Sequence, residues 1–157
     1  MAKSAPTLDA IDRRILQVLQ AEGRLPIVAL ADRVGLSPSP CARRLAKLEE
    51  SGVIARYAAI LDPARIGLAL QAFVLVALDD HAEPTVAAFQ RAVSLRPEVL
   101  AAYAVSGEMD YLLHVVAADM EAFADFATRD LLRMPGVRAS RTSFVLKALK
   151  PPSTLPV

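Results

Sequence analysis

Residues 35–54, GLSPSPCARRLAKLEESGVI, hold the pattern from which the rest of the chain can be read. Gly35 offers the positive-φ corner needed between two closely packed helices. Ser37 is placed to cap the helix that follows. Pro38 and Pro40 fall in its first turn, where a missing N–H costs nothing. At about 100° per residue, Cys41, Leu45 and Leu48 share one face. Ser39, Arg43 and Lys47 share the opposite face with Arg44 on its flank, while Glu49 and Glu50 lie at the far end. Donors on the outer face of the second helix of such a pair are what reading a DNA major groove requires. The same charges also fit a merely solvated helix face.

Upstream, Asp9 is a candidate N-cap, and Asp12 adds negative charge to the first turn. Leu8, Ile11, Ile15, Val18 and Leu19 form an apolar stripe at helical spacing, which Gly23 ends. A short helix after Pro26 turns Ile27, Leu30, Ala31 and Val34 inward. The N-terminal third therefore predicts a tri-helical unit.

Downstream the period changes. Residues 71–78, QAFVLVAL, predict a strand, and Pro84–Leu95 a helix with Val86, Phe89, Ala92 and Val93 inward. Strands follow at Val99–Val105 and Tyr111–Ala117, then a helix over Met120–Leu132 and a last strand over Val137–Leu149. The order βαββαβ is the split ferredoxin-like arrangement. Ala72–Leu78 is apolar at every position, so both faces of that strand want cover. A second copy of the same sheet is the simplest cover, which predicts a homodimer.

Composition restricts the alternatives. The 157 residues carry a net charge of +1 and are 54% hydrophobic, enough for well-buried cores. Residues 1–62 are slightly basic, with a net charge of +2, and the remainder nets −1. The longest apolar runs have seven residues, far short of the roughly 20 that a membrane helix needs. No apolar segment of a secretory signal opens the chain, so a cytoplasmic protein without membrane partners is expected. Cys41 is the single cysteine and reads as a small core residue. His81 and His114 lack metal-ligand spacing, so no metal or other cofactor is expected. No Gly-rich phosphate loop or Ser/Cys–His constellation points to an enzyme.

Several motifs in order carry a resemblance. They are Leu8-Asp9-x-x-Asp12-x-x-Ile15-Leu16-x-x-Leu19-Gln20, Gly23-Arg24, and Gly35-Leu36-Ser37-Pro38-x-Pro40-Cys41-x-x-Arg44-x-x-x-Leu48-Glu49-x-x-Gly52-x-Ile54. Tyr57-x-Ala59-x-Leu61-Asp62-Pro63-x-x-x-Gly67 follows as a hinge strand. Together the chain resembles the Lrp/AsnC (feast/famine) family of transcription regulators. Ala29 departs from it, standing where the family has an acidic residue. The resemblance implies a winged-type helix-turn-helix DNA-binding domain with its hinge strand over residues 1–61. Over residues 62–157 it implies an α+β effector-binding and oligomerisation (RAM) domain, whose dimers assemble into tetramers or octamers.

By the same resemblance Ser37, Ser39, Arg43, Arg44 and Lys47 contact double-stranded DNA. Ser106-Gly107-Glu108-Met109-Asp110-Tyr111 is similar to the family's effector loop. A small amino acid would set its carboxylate at the Gly107 backbone and its ammonium toward Asp110, directly or through neighbours that Asp110 orients. Gly and Asp are also the residues of a plain hairpin turn. Met120, Thr142 and Ser143 match further pocket positions, and Met109 and Met120 suit an aliphatic or sulfur-containing side chain. His114 reads as an ordinary strand residue. The ending Ser153-Thr154-Leu155-Pro156-Val157 resembles the subgroup controlling branched-chain amino-acid, proline or cysteine catabolism. The expected function is sequence-specific, effector-responsive control of amino-acid metabolism. The alternative is a nucleoid-type architectural protein without effector control.

Overall fold

The computed structural model describes residues 7–150 and 154–157, which divide into two compact units: residues up to 60 with those from 150 onward, and residues 61–149. The first unit holds α1 (Ala10–Ala21), α2 (Ile27–Val34) and α3 (Pro38–Glu50). Its core is Ile15, Leu16, Leu30, Ala31, Val34, Cys41 and Leu48, so the apolar stripes read from helical spacing do meet. Cys41 is fully buried there, and burial pushes its thiol pKa up. Gly35 ends α2 in the left-handed region at φ 72°, the corner that a residue with a Cβ resists.

Three expectations change here. Ser37 has the extended N-cap backbone, but its hydroxyl makes no capping bond. A cap side chain reaches the N–H of the second or third helical residue, and the third is Pro40, which has none. Residues 55–61, expected as a hinge strand, are not in a strand, because no second strand lies beside them in the single chain. Residues 154–157, assigned from sequence to the second domain, group with the first unit, where α1 bonds to them.

The second unit is a four-stranded antiparallel sheet in the order β2-β3-β1-β4, with β1 (Leu70–Leu78), β2 (Val99–Ala104), β3 (Tyr111–Ala117) and β4 (Val137–Phe144). Helices α4 (Glu83–Ser94) and α5 (Met120–Asp125) complete it. Ala72, Val74 and Val76 of β1 and Leu113 and Val115 of β3 are buried with Phe89 and Val93 of α4 and Phe123 of α5. The alternate positions of β1, Phe73 and Leu75, share the other face with their register partners His114 and Leu112. On that face Phe73 is 41% exposed and Tyr103 of β2 57%.

The helix expected over Met120–Leu132 is not uniform. After α5 the chain makes a wide π turn over Phe126–Asp130 and a 3₁₀ turn over Leu131–Arg133. Phe123 and Phe126 are three residues apart, whereas Phe126 and Leu131 are five apart, one more than a regular helical face allows. The wide turn absorbs that extra residue and leaves all three side chains buried. The last strand ends at Phe144 rather than Leu149. Phe144 already pairs with Ala72, near the start of β1, and Val145 donates one more bond to the Gln71 carbonyl at 2.9 Å. Beyond that β1 offers no partner.

Candidate nucleic-acid interface and ligand hairpin

The N-terminus of α1 is closed by a capping box. Asp9 accepts from the Asp12 N–H at 2.8 Å, and Asp12 accepts from the Asp9 N–H at 3.3 Å. Both carboxylates also accept from one Arg44 nitrogen, at 2.6 Å and 2.8 Å. Arg44 thereby ties α3 to the start of α1. The bond from Asp12, then Arg44, holds the Asp9 carboxyl below the ordinary carboxylate range, and the two acids raise Arg44 in return. Arg44 was expected to touch the DNA backbone. Its Nη1 is engaged inside the unit, where it helps to position α3, while Nε and Nη2 make no hydrogen bond among the described residues.

Ser39, Arg43 and Lys47 follow one another at four-residue spacing and are exposed on α3. Among the described residues neither Arg43 nor Lys47 enters an ion pair. Ser37 is exposed at the N-terminal end of the same helix, its hydroxyl uncommitted to the cap. The outward surface of α3 therefore presents a guanidinium, an ammonium and two hydroxyls. This donor set suits phosphates and purine edges.

In the second unit, residues 105–110 turn β2 into β3. Val105 N–H donates to the Asp110 carbonyl at 2.9 Å, and Asp110 N–H donates to the Val76 carbonyl at 2.9 Å. The Asp110 carboxylate is held at both oxygens. One accepts from the Leu78 N–H at 2.7 Å, where the β1–β4 register slips, and the other lies 2.7 Å from His81 Nε2. These two contacts, the Leu78 bond first, hold the Asp110 carboxyl below its usual range, with Arg138 contributing at longer reach. Of the two expected roles for Asp110, direct contact with a ligand ammonium or orientation of its neighbours, these contacts fit the second, since each oxygen already meets a group of its own chain. His81 was missed because it is 29 residues away in sequence, beyond any local spacing.

Within the turn Ser106, Gly107 and Glu108 are exposed and Met109 is half-buried. Gly107 has φ 126°, and a Cβ added there would meet nothing within 4 Å, so its backbone is open to a close-approaching group. Tyr111 is not part of that surface. It is 9% exposed, with its ring 4.7 Å from that of Phe89 in the core.

Met120, expected beside the hairpin, stands beyond the far end of β3, roughly 20 Å away at the rise of an antiparallel strand. Thr142 pairs with Val74 on the helix-covered face, and Ser143 with Phe73 on the other, so one chain gathers neither with the hairpin. His114 reads as expected for a strand residue, its ring stacked on Phe73 at 4.9 Å. Among the described residues no three His, Cys, Asp or Glu side chains gather as metal ligands, and no helix is long and apolar enough to cross a membrane.

Comparison with known proteins supports both halves. Residues 8–55 match a winged helix-turn-helix DNA-binding family, and residues 71–155 match the Lrp/AsnC ligand-binding domain. The DNA-binding transcriptional activator DecR of Escherichia coli is 39% identical over 150 residues, covering 96% of this chain and 99% of the relative. The leucine-responsive regulatory protein of Rhizobium meliloti is 42% identical over 143 residues, 91% of this chain and 92% of the relative. A transcriptional regulator of Neisseria meningitidis, solved in complex with L-Met, superposes with a TM-score of 0.92 at 47% identity, covering 96% of this chain and 97% of that one.

Proposed function

The chain belongs to the Lrp/AsnC family of transcriptional regulators, and from that premise we propose that it reads specific operators through α3 and answers to a small amino acid held at the 106–110 hairpin. The observation that carries the DNA part is the division among the basic residues of α3. Arg44 is tied through Nη1 to Asp9 and Asp12, whereas Arg43 and Lys47 stay exposed and outside the ion pairs of the described residues. Arg43 reads base edges, Lys47 and Ser39 reach bases or nearby phosphates, and Ser37 approaches the backbone.

For the effector, the exposed backbone at Gly107 receives the carboxylate, and the Asp110–His81–Leu78 contacts keep the turn in shape for it. Met109 favours an aliphatic or thioether side chain, in line with the L-Met bound to the meningococcal relative. Met120, Thr142 and Ser143 join such a pocket only when further copies of the chain bring theirs to the hairpin. That requirement, with the partly exposed apolar face of the sheet, supports a dimer built on that face and assembling into tetramers or octamers. The protein acts in the cytoplasm and catalyses no reaction. Residues 1–61 serve as the reading domain and 62–149 as the sensing domain.

Gel-shift titrations against operator fragments selected from genomic DNA, with leucine, valine, methionine, proline or cysteine added in turn, test this reading together with calorimetry. A ligand can shift DNA affinity only through different affinities for two states of the assembly. Binding of one amino acid with a matching change in operator affinity is expected. Sequence-blind DNA binding that no amino acid alters would favour the architectural alternative.

A further inference from the structure

The second unit opens a cleft of about 410 Å³ between the end of α4 and the turns that follow α5, and none of its lining residues belongs to the 105–110 hairpin. Arg96, Arg129 and Arg133 line it against one acid, Asp130. This surplus of positive charge runs against the unit as a whole, since residues 61–149 carry eight Lys and Arg and eleven Asp and Glu. Asp130 is paired with Arg96 through Nη2. Arg129 reaches Asp125 at 3.2 Å, an exposed pair that contributes little. Arg133 is exposed and enters no ion pair among the described residues. Arg129 and Asp130 stand at the end of the π turn, and Arg133 ends the 3₁₀ turn after it. Wide turns of this kind are rare and recur at functional sites. Ala92 and the buried Met134 add apolar lining.

We propose that this cleft binds the phosphate groups of a small metabolite, as a second ligand site of the chain separate from the amino-acid site. Arginine presents paired N–H donors that match phosphate oxygens, and its charge persists at every physiological pH. A single carboxylate needs only one such fork. Three arginines drawn from two elements suit a group with oxygens on several sides and more than one negative charge. The concave shape and apolar lining favour a small molecule over the convex backbone of a DNA duplex. The inference rests on neither the reading of α3 nor that of the hairpin, and it can stand if either fails.

The test titrates pyrophosphate and ADP into the full-length protein at constant ionic strength, with adenosine as the control, and follows calorimetry and amide resonances. Both phosphates should bind and adenosine should not, and the amides of residues 92–96 and 129–134 should shift. Arg133 has no ion pair to lose among the described residues, so Arg133→Ala should keep the wild-type melting temperature. It should weaken ADP binding at least about tenfold, as loss of one charge-assisted bond to phosphate would. Arg133→Lys, which keeps the charge but not the fork, should recover part of that loss. The Arg129→Ala/Arg133→Ala double variant should bind random-sequence DNA with wild-type affinity and salt dependence. Failure of the wild type to bind either phosphate at millimolar concentration would overturn the proposal. So would unaltered ADP affinity in the double variant, which would place the anion elsewhere on the chain. A flattened salt dependence of DNA binding in that variant would give the cleft to the DNA backbone and overturn it too.

Discussion

Replacing Arg43 and Lys47 by alanine, singly and together, separates base reading from charge and from folding. Arg43 is exposed and outside the ion pairs of the described residues, so its removal costs the head no internal contact. If it reads a guanine by paired bonds, Arg43→Ala should weaken the selected operator by about 1–3 kcal/mol, roughly a 5- to 150-fold rise in Kd. Random-sequence DNA should lose much less. Lys47→Ala should weaken both DNAs alike and flatten the dependence of log K on log salt by about 0.9 if one phosphate contact is lost. Arg43→Lys keeps the charge but not the fork, so it should preserve the salt slope while losing specificity. Arg44→Ala gives the contrasting signature, because Asp9 and Asp12 lose their shared donor. It should lower the melting temperature and reduce affinity for operator and random DNA in proportion. Fluorescence anisotropy on both DNAs at several salt concentrations, with a melt of each variant, reads all of this. If the Arg43→Ala/Lys47→Ala double variant binds operator like the wild type, or loses the same factor on random DNA, the assignment of α3 is wrong.

Three further outcomes are expected. Val74 is buried among the helices and Phe73 is 41% exposed on the other face, so Val74→Asp should leave no folded protein. Phe73→Asp should leave a folded one, detected by circular dichroism, that light scattering finds dissociated; a Phe73→Asp protein of wild-type size would remove that face from the assembly. Tyr57 is pushed up to about 12 by burial and by its bond to Glu49, although half the residue is exposed and solvent tempers the effect. Its contribution to stability is full below about pH 10 and disappears as pH rises through about 12. A late step in the ultraviolet tyrosine titration, absent in Tyr57→Phe, checks this. Asp110 is shifted the other way, so its bracing of the hairpin holds above the ordinary carboxylate range and is lost as pH falls through its depressed value. The Leu78 amide resonance should report that midpoint, and His81→Ala should move it upward.

What the sequence made legible was whatever repeats at short range. Helical spacing found the stripes of α1, α2 and α3, and unbroken apolar runs found β1 and β3, because burial of one face imposes a period on neighbouring positions. Asp9 was readable as a cap since its partner Asp12 lies three residues away. The tie from Arg44 to α1 was not legible because the carboxylates it joins are 32 and 35 residues distant. Spacing on one helix reports direction but not what waits there. Asp110 was recognisable as a turn residue, whereas the Leu78 amide and His81 that occupy its oxygens come from β1 and the turn after it. Met120 and Thr142 entered the expected pocket through family resemblance, which carries over an assembled protein. The single chain keeps them apart. The π turn stayed hidden because five-residue spacing between buried side chains mimics a helix that has merely drifted.

The burial of Cys41 has an experimental use. A chain with one thiol, shielded in the core of the reading head, carries its own chemical clock. A thiol reagent can modify it only while the three helices part. The labelling rate of the unaltered protein therefore measures how often that small core opens, without touching the sensing unit, whose residues include no cysteine. DNA that grips the closed head should retard the clock. Cysteines introduced on the surface could meanwhile be labelled within seconds, leaving the native one untouched as an internal reference.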